Sequence, residues 1–205
     1  MPTRREFALA NLAALALVSF FFFPAFLGKI VYSGDLTGSD LFDLNLPRRV
    51  LVADAYRHGH LPHWTPLLGN GFPLLAEGQS GPFYPVNLVY LLFSPGPATN
   101  LAIMATVWLA LVGTYLLARR HGLEPQAAGL AAIAFGLGPT FLIRLKHLNM
   151  IEVAAWLPIS LWCIESWLED RRPRWLLAIA AVWAMQLLAG HPHMTCICLL
   201  TCLLY

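Results

Sequence analysis

The chain has 205 residues, of which 58% are hydrophobic and only 12% charged, and its mean hydropathy is +0.63. Soluble domains carry about 25% charged residues, so this composition excludes an ordinary water-soluble fold and specifies a membrane protein. The formal charge of +2 comes without a basic run or a nucleic-acid motif, which argues against nucleic acid as a partner.

The first apolar run, residues 7–30, exceeds the roughly 20 residues needed to cross a bilayer. It follows Arg4 and Arg5 as a signal peptide would. However, it is long for a signal core, and "FFFPAFLGK" has no A-x-A cleavage site. It is read as an uncleaved first span. A polar segment follows, in which "DLFDLNLPRRVLVADAYRHG" predicts a short amphipathic helix over 43–58, with Leu44, Val50, Leu51 and Ala55 as its apolar side.

The next stretch, "LPHWTPLLGNGFPLLAEGQSGPFYP", cannot be a continuous helix. Prolines recur at 62, 66, 73, 82 and 85 and glycines at 69, 71, 78 and 81. Its Trp, Phe, Tyr and Leu content is too high for a floppy linker. Irregular backbone against a membrane persists where protein covers it or where it lines a wet cavity, so this loop is expected to roof something. Residues 86–93 are too short to span and are placed at the interface.

Four further spans are predicted at 98–118, 125–143, 151–168 and 175–190, with Pro125 suited to a first helical turn. The run 194–205 covers only about 18 Å as a helix, so the chain is expected to stop within the membrane, as the front part of a longer protein. The expected fold is therefore an all-α, polytopic transmembrane bundle. Its parts are a first helix within 1–31, an extracytoplasmic loop over 32–97, and helices two to six over 98–205, the sixth truncated. The cysteines Cys163, Cys196, Cys198 and Cys202 lie in apolar runs without metal or redox spacing, and read as small buried hydrophobes.

Basic residues set the sidedness. An inward N-terminus places Arg4, Arg5, Arg119, Arg120, Arg171, Arg172 and Arg174 on the cytoplasmic side, against Arg144 and Lys146 in the short outer loop. The remaining polar residues then share the outer face. Asp35, Asp40, Asp43 and Glu77 lie in the long segment. Arg144, Lys146, His147, Asn149 and Glu152 lie near the start of span four, and His191 and His193 follow span five.

Each has a plainer reading. Asp40 is a good helix N-cap residue, Arg144 and Lys146 can snorkel to headgroups, and the histidines can be hydrogen-bonded structural groups. "HPH" is not a zinc site by spacing. Glu152 is harder to set aside, because an ionisable group about one turn inside an apolar helix ordinarily faces an interior cavity. Together the set offers carboxylates to take a proton and cations to hold an anion, which suits transfer of a group carried on a lipid phosphate.

The order "SDLFDLNLPRRVLVADAYRHGHLPHWTPLLGNGFPLLAEGQSGPFYPVN" resembles the first outer loop of YfhO-type bacterial membrane proteins, relatives of the GT-C glycosyltransferases. The matching positions are Asp40, Pro47, Gly59 to Pro66, Gly71 to Ala76 and Phe83 to Asn87. "HLNMIEVAAWLPISLWCIE" and "AGHPH" are similar to later family segments, with His193 where the family has glutamine.

This resemblance implies a GT-C-like enzyme of the bacterial plasma membrane. It would move a sugar from a polyprenyl-phosphate donor to a cell-envelope polymer, lipid or protein. It implies Asp40 as catalytic base, with Asp43 and Asp35 in reserve, sometimes acting with a divalent metal ion. His147 and His191 would flank the donor phosphate, Trp64, Phe83 and Tyr84 would offer aromatic faces, and Glu77, Gln79, Arg144, Asn149, Glu152 and His193 would complete the substrate site. Two other readings stay open: a transporter or flippase of lipid-linked sugar, although the chain shows no repeated halves, and a non-catalytic membrane scaffold.

Overall fold

The computed structural model describes residues 3–32 and 39–205, so Asp35 lies outside the described residues. Among the described residues all regular structure is helical, apart from one isolated bridge between Thr65 and Phe72.

The first helix, α1 (Arg4–Phe21), starts at Thr3, whose hydroxyl accepts a 3.2 Å bond from the Glu6 N–H. Its regular hydrogen bonding stops short of the expected residue 30. Pro24 has no N–H for the next carbonyl, and the chain tightens into a 3₁₀ turn over Phe23–Leu27. A π-helical turn, Leu41–Asn45, leads into α2 (Leu46–Arg57). The punctuated loop holds only α3 (Leu74–Glu77), and α4 (Val89–Leu92) follows a 3₁₀ turn.

The long helix α5 (Pro95–Arg120) has 26 residues, about 39 Å at 1.5 Å per residue. α6 (Pro125–Gly136) and α7 (Pro139–Ile143) continue one another across a break at Pro139. α8 (Leu148–Ala155) and α9 (Leu157–Asp170) are offset at Trp156, because Pro158 cannot donate to the Ala154 carbonyl. α10 (Pro173–Leu188) and α11 (Pro192–Leu204) complete the chain.

By length and composition, 3 of the segments among the described residues are able to cross a membrane: Pro95–Arg120, Pro125–Lys146 and Leu148–Asp170. The other two expected full spans are shorter as regular helices. α1 carries Arg4, Arg5 and Glu6 in its first turn, and α10 has 16 residues.

α5 is the centre of the bundle and packs against α1, α6, α8 and α9. Small residues permit the closest approaches: a Cβ on Gly113 would stand 2.7 Å from Ile159, and one on Gly136 3.0 Å from Leu111. Large apolar side chains such as Leu9, Leu12, Phe20 and Leu130 point outward, as a lipid-facing surface requires.

The two ends of the bundle differ. One gathers Arg119, Arg120, Arg171 and Arg174, with Arg171 over the Trp167 ring and Arg174 over the Trp175 ring, a basic and aromatic belt. The other carries α2, the punctuated loop and the Arg144–Lys146 turn. Of the cysteines, Cys163, Cys198 and Cys202 are buried as expected, while Cys196 faces outward.

α2 corrects one expectation. Its buried side is Arg49, Val52, Ala53 and Ala55, whereas Leu44 is exposed and Val50 and Leu51 are only half-buried. The helix is rotated so that a charged residue faces the core, because a carboxylate waits there.

Candidate functional site

That carboxylate is Glu152 on α8. Arg49 donates from both terminal nitrogens to its two oxygens, at 2.9 and 2.6 Å, and both side chains are 1% exposed or less. Burial alone would favour discharging Arg49. The facing Glu152 carboxylate more than offsets this and holds the guanidinium above its ordinary range. Glu152 therefore faces a cation and not an open cavity. The pair fastens α2 to the bundle.

Fastening α2 positions the turn before it. Ser39 accepts from the N–H groups of Phe42 and Asp43, and the Asn45 amide bonds back to the Asp40 carbonyl at 3.1 Å. The Asp40 side chain makes no capping bond. It reaches across the chain to His147, whose Nδ1 lies 2.6 Å from Asp40 Oδ2. An ionised carboxylate only accepts, so the Nδ1 carries the proton and donates. The Asp40 side chain remains 44% exposed, which leaves Oδ1 accessible.

His147 also lines a cleft of about 380 Å³ with Pro139, Thr140, Ile143, Arg144 and Lys146. Arg144 is exposed there, its only bond to a described side chain being a weak one to the Met150 sulfur. An acid, an imidazole and two cations thus meet at the loop end of the bundle.

The histidines after α10 divide. The His191 Nδ1 accepts a 3.1 Å bond from the Met194 N–H, so His191 caps α11. Burial, together with the nearby His193 and His147, lowers its pKa. His193 is exposed beside it.

Several other predicted contacts prove to be internal fastenings. Glu77 pairs with Arg48 at 2.6 Å and accepts from the N–H groups of Gln79 and Ser80. Asn149 is buried and donates to the Gly190 carbonyl at 3.2 Å. Tyr84 is 1% exposed and its hydroxyl accepts from Trp156 Nε1 at 3.1 Å, so its ring offers no face to a sugar. Glu77, Asn149 and Tyr84, expected at the substrate site, are thus each engaged within the protein. Phe83 and Trp64 are exposed, and the Trp64 ring lies over Gly71. Gln79 and Asp43 are exposed and outside the cleft lining.

A Cβ on Gly190 would stand 2.4 Å from the Gly78 carbonyl oxygen, and one on Gly81 3.3 Å from the Leu188 carbonyl oxygen. The loop backbone therefore rests directly on the α10–α11 turn. Tyr84 below it packs with Val153, Ala189 and Cys198.

Among the described residues no group of three or more His, Cys, Asp or Glu side chains is arranged to hold a metal ion. Arg49 was not anticipated as a site residue. The one signal for it in the sequence is indirect, since a carboxylate inside an apolar helix requires a cation somewhere.

Comparison with protein families, with characterised proteins and with solved structures finds no match to the chain. Its class rests on its own features among the described residues: all-helical structure, 3 helices able to span a membrane by length and composition, and an acid–imidazole pair beside a cationic cleft.

Proposed function

We propose that this protein is a membrane glycosyltransferase of the GT-C-like, YfhO-type class. It moves a sugar from a polyprenyl-phosphate donor to an acceptor hydroxyl on the face carrying the loop. The observation that carries this reading is the Asp40–His147 hydrogen bond at the edge of the Arg144–Lys146 cleft.

His147 occupies Oδ2 and orients the carboxylate, leaving Oδ1 to take the acceptor proton. As the acceptor oxygen forms its bond to the sugar C1, the bond from C1 to the phosphate oxygen breaks and its electron pair leaves with the polyprenyl phosphate. Arg144 and Lys146 offset the charge that builds on that phosphate. The proton ends on Asp40 and returns to water. The arginines at the opposite end support a cytoplasmic N-terminus and an extracytoplasmic site in a bacterial plasma membrane.

The test compares wild type with Asp40→Asn at equal membrane levels in the host. Envelope glycans and polyprenyl-linked sugars are quantified by mass spectrometry, with the sidedness of the donor probed in the same samples. A general base contributes about 10²–10⁴-fold, so the decoration should be lost while donor accumulates on the outer leaflet. Donor held on the inner leaflet would instead mark a flippase. Unchanged pools would overturn the catalytic assignment and leave the loop a scaffold surface.

A further inference from the structure

At the basic end, remote from the Asp40 cleft, α1 and α6 stand apart over the floor that α5 provides. The groove between them has a volume of about 520 Å³ and is walled by Leu9, Ala13, Leu17, Leu111, Ala132 and Ile133. It extends along α1 from Thr3 to Leu17, about 21 Å at the helical rise. Its length and apolar lining match one extended hydrocarbon chain lying along α1.

Gly129 lies in the wall at the middle of α6, and a Cβ built there meets nothing within 4 Å. A glycine inside a helix costs about 1 kcal/mol relative to alanine. Gly113 and Gly136 offset that cost by letting helices approach, but no part of the chain approaches Gly129. The space over it is kept open, and an apolar void facing a bilayer holds hydrocarbon and not water, which would have no polar partners there.

The mouth of the groove is polar. Glu6 is occupied by the Tyr115 hydroxyl at 2.8 Å and by Arg119 at 2.5 Å, so its charge is offset. Arg5 lines the same mouth and is exposed, and its side chain makes no hydrogen bond or ion pair among the described residues. With Arg4 beside it, the mouth presents uncompensated positive charge at headgroup level. Basic sites between membrane helices recruit anionic headgroups, and an arginine fork matches a phosphate.

We propose that this groove binds one acyl chain of an anionic phospholipid, whose phosphate is held by Arg5. The glycerol backbone sits near Thr3, and the chain runs past Gly129 toward Leu17. The site is independent of the sugar-transfer reading, since it lies at the other end of the bundle and uses none of the same residues.

The experiment uses the full chain reconstituted in bilayers of equal phosphatidylglycerol and phosphatidylcholine, with retained lipid read by native mass spectrometry. Wild type should retain one phosphatidylglycerol in preference by about fivefold, the factor that one basic residue near the surface contributes. Arg5→Gln should abolish the preference. Gly129→Leu, which places a side chain where no atom now stands, should lose the retained lipid of either kind. Equal retention of the two lipids by wild type would overturn the proposal. So would a preference that survives both substitutions. Arg5 is at the surface, so its variant remains informative if Gly129→Leu fails to fold.

Discussion

Arg49 and Glu152 meet in the core of the bundle, 103 residues apart in the chain, with both oxygens of the carboxylate bonded by the guanidinium. The pair joins the segment that carries Asp40 to the helix that follows His147. It is thus the fastening on which the candidate site depends, and both of its side chains are buried.

The first prediction concerns that pair. Removing one partner of a buried ion pair leaves an uncompensated charge and costs about 3–5 kcal/mol, whereas replacing both by apolar groups is often neutral. Arg49→Met and Glu152→Leu should each unfold far more readily than wild type in detergent denaturation. The double variant should recover to within about 1–2 kcal/mol of wild type. Additive losses in this cycle would show that the two residues act separately.

His191 gives a pH dependence whose sign follows from its environment. Burial and neighbouring histidines lower its folded pKa, so the unfolded chain takes up a proton first as pH falls. Stability from this group is fully present above the unfolded value of about 6.5 and declines as pH drops through it toward the folded value. Protonation also removes the acceptor for the Met194 N–H. His191→Asn, which retains a capping oxygen, should flatten the acid limb of a melting-temperature profile. His191→Ala should instead lose about 1 kcal/mol near neutral pH.

Two glycines with the same φ should behave differently. Gly122 and Gly190 both have φ +81°, yet a Cβ at Gly122 meets open space while one at Gly190 meets the Gly78 carbonyl oxygen at 2.4 Å. Gly122→Ala should cost only the roughly 1–2 kcal/mol of left-handed backbone. Gly190→Ala should cost clearly more and expose the loop, which limited proteolysis at residues 61–85 would report. Equal costs would mean that the loop does not rest on this turn.

Tyr84 is expected to matter for stability and not for sugar contact. Tyr84→Phe strips the acceptor from the Trp156 indole N–H and should cost about 1 kcal/mol in thermal unfolding. Transfer per folded molecule should be unchanged, because the ring is buried beneath the loop. A fall in transfer at full stability would return Tyr84 to the substrate site.

Much of the secondary structure was legible locally. Prolines at 95, 125, 139, 173 and 192 stand at the first turns of helices, where their missing N–H costs nothing. The Gly–Pro loop admits only short helical turns, for the reason its composition states. The rotation of α2 was not legible, since an apolar-face rule assigns Arg49 to the polar side until its partner is known. Nor were the capping role of His191 and the latch between Arg48 and Glu77, because each of these side chains would serve equally well in a binding site.

By itself, the sequence determined the helical class, the apolar segments, the basic end and the irregular loop. These follow from hydropathy, charge and backbone chemistry that act over a few residues. Tertiary structure alone decided that Glu152 belongs to Arg49 and Asp40 to His147, 103 and 107 residues away. The energy of a carboxylate depends on which cation or donor the folded chain brings within 3 Å of it, and neighbours in sequence do not specify that partner.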